Sequence, residues 1–145
     1  MSTIGLDEFN RRMGAMSDQV SRNTDRALLK NALRMEFEAK TNATSFPRRR
    51  TGRLFNSISG QLLNYNGDKF IVLRAGGRSS EITKPFSESA DVVYAGVLEF
   101  GGTTNGLNFI QPRKYLERGR NKVLPQLRSD LNAALNAALN GKEYV

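Results

Sequence analysis

The chain contains no cysteine and no histidine. Without cysteine there is no disulfide, no thiolate metal site and no cysteine nucleophile. Without histidine it lacks the commonest general base near neutral pH and the commonest metal ligand, so neither a Ser-His-Asp triad nor a His-ligated zinc site can be built. No apolar run approaches the roughly 18–20 residues that a membrane span needs, and Met1–Asn10 does not have the basic-then-apolar layout of a signal peptide. These absences predict a protein that is not an enzyme, holds no cofactor or metal, has no membrane span and stays in the cytoplasm where it is made.

Its 145 residues suit one domain, 1–145, and 39% hydrophobic residues is ordinary for a globular protein. The balance of 22 Lys+Arg against 14 Asp+Glu gives a net charge of +8. That surplus suits an anionic partner, whether nucleic acid, an acidic protein face or a membrane surface, and does not choose among them.

Residues 1–40 read as one long helix. Leu6, Phe9, Met13, Met16 and Val20 recur at steps of three and four, and Ala27, Leu28, Met35 and Phe37 continue the apolar cover. Asp7–Arg11, Glu8–Arg12, Asp18–Arg22 and Glu36–Lys40 are acid-before-base pairs four apart. The stripe fits either an amphipathic core helix or a helix packed on a neighbouring subunit. Pro47 ends the helical run, and Thr51 is placed to cap a short helix, Gly52–Ser59, that buries Leu54, Phe55 and Ile58.

Gln61–Asn66 and Lys69–Ala75 read as strands joined by the hairpin dipeptide Asn66-Gly67. Phe70-Ile71-Val72-Leu73 is apolar on both faces, which suggests a central strand. Residues 76–91 form a polar stretch expected to be an exposed, mobile loop; Gly76-Gly77-Arg78-Ser79-Ser80 within it lacks a Walker pattern and reads as plain loop, not a phosphate cradle. Val92–Phe100 fits a strand or a short helix, Gly101-Gly102 ends it at positive φ, Thr103–Asn108 reads as a second loop, and Phe109-Ile110 as a short strand. Pro112 suits the first position of a C-terminal helical region, residues 112–140, with a kink or break near Lys122–Leu124 caused by Pro125 and a stop at Gly141. Leu131, Leu135 and Leu139, with Ala134 and Ala138 beside them, point to close local helix packing. The order predicts an α+β fold: a small, largely antiparallel sheet packed with a long N-terminal helix and a C-terminal helix.

For chemistry, Glu88, Asp91 and Glu99 are the carboxylates that a glycosidase-like pair would draw on, and no spacing fixes two of them around a cleft. For nucleic acid there is more: Arg48-Arg49-Arg50 with Arg53, a second cluster of Arg113, Lys114, Arg118, Arg120 and Lys122, and a stripe of Arg22, Arg26, Lys30 and Arg34. Clustered cations bind phosphates without sequence readout; they also serve as solvated surface or as partners of acidic neighbours. No helix-turn-helix, zinc-finger or RNA-recognition signature is present.

Three motifs together resemble the tail-completion or head–tail joining (neck) proteins of long-tailed bacteriophages, a family of minor tail proteins. They are Thr51-Gly52-Arg53-Leu54 followed by Ser57-Ile58; Tyr94-Ala95 followed by Leu98-Glu99-Phe100-Gly101-Gly102-Thr103; and Ile110-Gln111-Pro112-Arg113 followed by Tyr115-Leu116. The family commonly shows Arg-Pro-Phe-Leu at the third, where this chain has Pro112-Arg113-Lys114-Tyr115-Leu116. The physical reading is of a scaffold: Leu54 and Ile58 face the core, Tyr94 and Phe100 are large candidates for burial, and Glu99 pairs with Arg53 or Arg113 or makes a salt bridge between subunits.

The resemblance implies a ring-forming adaptor, six-fold favoured, located in the virion neck or upper tail after assembly in the host cytoplasm. Its partners would be connector or head-closure proteins and tail-terminator or tube proteins. Arg48, Arg49, Arg50 and Arg53 would face such a partner or the DNA passing through the channel. The alternative is a non-specific nucleic-acid-binding protein.

Overall fold

The computed structural model describes residues 4–44, 53–76, 94–104 and 108–145. In chain order the elements are α1 (Ile4–Thr44), α2 (Arg53–Ser57), β1 (Ser59–Tyr65), β2 (Asp68–Arg74), α3 (Tyr94–Phe100), β3 (Gly102–Thr104), β4 (Asn108–Ile110) and α4 (Tyr115–Leu139). This is the α+β arrangement that the sequence order predicts. Contacts divide the chain into two compact units, one of Met1–Asn31 with Pro125–Val145 and one of Ala32–Leu124, and α1 and α4 contribute to both.

In the first unit, Asn23, Ala27 and Asn31 recur every four residues on α1 and are all buried. Ala27 packs with Ala134 of α4 and with Tyr144 of the tail, and Leu131 lies against them. Alanine on both helices removes the side-chain bulk that would hold the backbones apart, so the interface is closed by polar groups. The Asn31 Nδ2 donates to the Ala27 carbonyl at 2.8 Å and to Asp130 Oδ2 at 2.9 Å. The Asn23 Nδ2 donates to the carbonyls of Ala134 and Lys142, at 3.3 and 3.0 Å. α4 ends in a Schellman turn: Lys142 N–H donates to Ala137 O and Gly141 N–H to Ala138 O, with Gly141 at φ 66°. The stop at Gly141 is where the sequence places it. α4 runs on through Pro125, so the expected interruption near Lys122–Leu124 is not a break.

In the second unit, Ala32, Met35 and Ala39 of α1 are buried. β1 and β2 pair antiparallel from Ser59↔Arg74 to Tyr65↔Asp68. Asn66 (φ 52°) and Gly67 (φ 86°) both sit at positive φ, as a tight hairpin turn requires. Gly60 of β1 lies on α1: a Cβ there would run into the backbone carbonyl of Ala32, and Gly60 N–H donates to the Glu36 carboxylate at 2.9 Å. Gly119 of α4 makes a similar approach to Ala39, where an added Cβ would stand 2.8 Å from the Ala39 nitrogen. Ile58, Tyr115 and Ala39 form the core, flanked by Leu54, Leu73, Leu98 and Leu116.

Several expectations need correction. β2 pairs only with β1 among the described residues and its Phe70 is exposed, so it is not central there. Thr103 and Thr104 belong to β3, which pairs with β4 from Gly102↔Ile110 to Thr104↔Asn108; each strand is three residues long, too short to show an alternating pattern in the sequence. α4 begins at Tyr115, three residues after Pro112. Residues 45–52, 77–93 and 105–107 lie outside the described residues. With them go Thr51, Gly52, Arg48, Arg49, Arg50, most of the 76–91 loop, Glu88 and Asp91.

Candidate assembly surface

The second motif opens on α3. A helix, not a strand, carries it, with Tyr94 at its start, its side chain outside the described residues, and Phe100 at its end. Gly101 N–H closes the helix on Val97 O at 2.8 Å. Gly101 holds φ 80°, and a Cβ there would meet Pro112 Cδ at 3.0 Å and Ile110 O at 3.1 Å. Only glycine fits both the backbone angle and the space. The β3–β4 hairpin then returns the chain beside α3, where Arg113 N–H donates to Leu98 O at 2.8 Å and Lys114 N–H to Glu99 O at 3.3 Å. Lys114 takes φ 50° and α4 starts at the next residue. Pro112 therefore packs in the approach to α4 instead of opening it.

Glu99 is 6% exposed. Its two carboxylate oxygens accept the backbone N–H groups of Leu116 and Glu117, at 2.9 and 3.0 Å. The first N–H groups of a helix have no partner inside it, and the helix dipole favours negative charge at that end. Glu99 thus caps α4 from another helix, a role that neither sequence reading of this acid contained. A cap delivered across the fold has no local signature. Tyr115 OH adds a bond of 3.4 Å to Ala95 O.

The three motifs consequently meet. Ile58 from the first is buried against Tyr115 from the third, and Leu54, Leu98 and Leu116 surround them. Arg53 opens α2, its side chain outside the described residues. Phe100 is the exception. It was expected to be buried and is 82% exposed; Phe109 on β4 is 64% exposed. The apolar run gave Phe100 the look of a core residue, but α3 ends there and Glu99, its polar neighbour, takes the inward position.

Among the described residues several cationic groups are engaged within the chain. Of the α1 stripe, Arg26 pairs with Glu143 at 2.9 Å, Arg22 bonds Gln19 at 3.0 Å, and Lys30 lies 5.0 Å from the Tyr144 ring centre. In the second cluster Lys122 pairs with Glu38 at 2.7 Å and Lys114 with Glu117 at 3.1 Å. Arg11 and Arg12 both hold Glu8, whose carboxyl stays below the ordinary glutamate range because of those two bonds. Nor does the first apolar stripe of α1 behave as core. Leu6, Phe9, Met13 and Met16 are 63%, 58%, 50% and 39% exposed.

Among the described residues no helix is long and apolar enough to cross a membrane, and no group of three or more acids is placed to hold a metal ion. What this surface offers is shape and apolar area: aromatic side chains standing out from a rigidly tied junction. The model of the HK97-gp10-like family, described as "Bacteriophage HK97-gp10, putative tail-component", matches residues 7–101, which run from the first turn of α1 to the glycine after α3. No curated protein and no solved structure matches the chain.

Proposed function

The chain belongs to the HK97-gp10-like family of bacteriophage tail components, and from that membership we propose that it is a non-enzymatic structural protein of the phage neck. In this reading it is a tail-completion or head–tail joining subunit, acting in a ring between connector and tail. Phe100 carries the reading. It sits inside the family-matched segment, next to the buried Glu99, and is kept out of the core by a junction held through Glu99, Gly101 and Tyr115. A phenylalanine that a fold goes to this length to leave outside is suited to burial against another virion protein. Closed rings need a head-to-tail interface, and two different apolar faces on one chain supply the material. Arg48, Arg49 and Arg50 remain candidates for contact with an acidic face of a neck partner, and charge reversal there is expected to block docking.

The direct test is electron microscopy of lysates from the producing phage with this gene deleted. Full heads and separate tails, restored to whole particles by the purified protein, are expected. Normal infectious particles would remove the neck reading.

The dense arginines favour a second reading, non-specific binding of nucleic acid. Duplex DNA affinity measured across salt concentrations separates the two: a binder shows a slope of log affinity on log salt that grows by about 0.9 per neutralised phosphate.

A further inference from the structure

Leu6, Phe9, Met13, Met16, Val20, Asn23 and Ala27 follow one another at alternating steps of three and four, which is the period of a helix–helix seam. The last part of that seam is covered inside the chain, where Asn23 and Ala27 are buried beside Ala134 and Tyr144. Its first part has no such cover. Of residues 5–18 all but Glu8 are exposed, over about 20 Å of helix. A seam continuous with a buried interface, yet left in water for three turns, calls for a second surface to complete it.

Charge narrows the occupant. Asp7, Glu8 and Asp18 against Arg11 and Arg12 leave residues 1–18 at −1, so the remainder of this +8 chain carries +9. Two such arms side by side repel weakly, whereas an arm laid on the body of another copy is attracted. Arm on body is also a heterologous contact, the kind that propagates around a ring. We infer that the N-terminal arm of α1, through Leu6, Phe9, Met13 and Met16, docks on the cationic body of a second copy of this chain. The inference rests on the ring reading for its setting and adds to it the surface that links neighbours.

The absence of cysteine makes the test clean. Met13→Cys introduces the chain's one thiol, and residues 1–18 contain no lysine. In assembled particles, a maleimide–succinimide cross-linker is expected to give products of dimer mass and above, with the thiol joined to a lysine of another copy such as Lys30, Lys40 or Lys69. Adding Phe9→Glu is expected to reduce those products by on the order of 100-fold, since it replaces a buried ring with a charge at the interface. Phe9 is exposed in the single chain, so circular dichroism of the variant is expected to match the parent. The inference is overturned if the protein is present in particles and only monomer-mass products form. It is equally overturned if Phe9→Glu changes nothing, if the thiol joins a different virion protein, or if a bismaleimide joins thiol to thiol. Absence of the protein from particles would defeat the neck reading itself, a result distinct from presence without cross-linking.

Discussion

The carboxylate of Glu99, at the end of α3, lies 2.9 Å from the backbone nitrogen of Leu116 in the first turn of α4. With the second bond to Glu117, one buried side chain satisfies two N–H groups that the helix cannot satisfy for itself. Glu99→Ala leaves both without that acceptor and is expected to cost about 1–3 kcal/mol in urea unfolding. Glu99→Gln retains one carbonyl acceptor without the charge and is expected to lose less. Equal losses for the two variants would show that the retained carbonyl contributes nothing and that the charge and the second carboxylate oxygen carry the whole effect.

The close approach of Gly60 to Ala32 gives a sharper prediction. A Cβ at Gly60 meets backbone, which cannot swing aside as a side chain could, so β1 would have to move off α1 and lengthen the Gly60–Glu36 bond. Gly60→Ala is expected to destabilise by about 1–3 kcal/mol, the range for overpacking a filled site. Gly67→Ala, where nothing lies within 4 Å, tests φ alone and is expected to cost about 1 kcal/mol. Thermal unfolding of the pair separates contact from backbone angle.

The parts of this fold that local chemistry dictates were readable from the sequence: the Asn66-Gly67 hairpin, the long span of α1 and the Gly141 stop. What escaped depends on pairing and packing that the type of residue alone does not record. Thr103 looks like loop until β4 pairs with it. Pro112 looks like a helix start until Glu99 and the positive φ of Lys114 set the start at Tyr115. Phe100 and Met13 look like core because hydropathy records the side chain and not what covers it. The family motifs identified residues that meet in one core, Ile58 with Tyr115 and Leu116, but not that the second motif would send its acid inward and its phenylalanine outward.

Glu36 links stability to pH. Partial burial pushes its carboxyl up, but the Lys40 ammonium and the Gly60 N–H together hold it below the ordinary glutamate value. A depressed folded pKa means that the stabilisation is complete above the unfolded value and is lost as pH falls through the folded one. Acidification from about pH 5 to about pH 3 is therefore expected to lower the melting temperature less in Glu36→Gln than in the parent. The Glu36 side chain is 23% exposed and its partner Lys40 lies one turn along the same helix, so the difference is expected to stay below about 1 kcal/mol. A steeper acid loss in the variant would reverse the sign argued here.

Tyr144 tests how the first unit is closed. The residue is 9% exposed beside Ala27 and Ala134, its N–H donates to Asn23 Oδ1 at 3.2 Å, and Lys30 lies over the ring. Tyr144→Ala removes apolar cover that small alanines cannot replace and is expected to cost about 3–5 kcal/mol, as for a buried aromatic. Hydrogen exchange is expected to quicken in α1 around Asn23–Asn31 and in α4 around Asn132–Leu139, with the β1–β2 hairpin amides responding less. Uniform quickening across all elements would mean that the two units open together.

The last prediction sets Phe100 against Ile58, two residues of the same family motifs with opposite environments. Ile58 is 1% exposed against Tyr115 and Ala39, so Ile58→Ala is expected to cost about 2–5 kcal/mol and, under the proposed neck role, to impair particle assembly only through loss of folded protein. Phe100 touches solvent over most of its surface, so Phe100→Ser is expected to leave the melting temperature within about 0.5 kcal/mol of the parent. If Phe100 is an assembly contact, that stable variant should nevertheless fail to restore whole particles when added to lysates of separate heads and tails. The combination matters: a folding defect lowers activity in proportion to the unfolded fraction and is rescued by cooling, whereas loss of a contact surface persists at full stability. A Phe100→Ser protein that joins heads to tails as well as the parent would detach this residue from assembly and move the contact to another exposed face, with Phe109 the first to try.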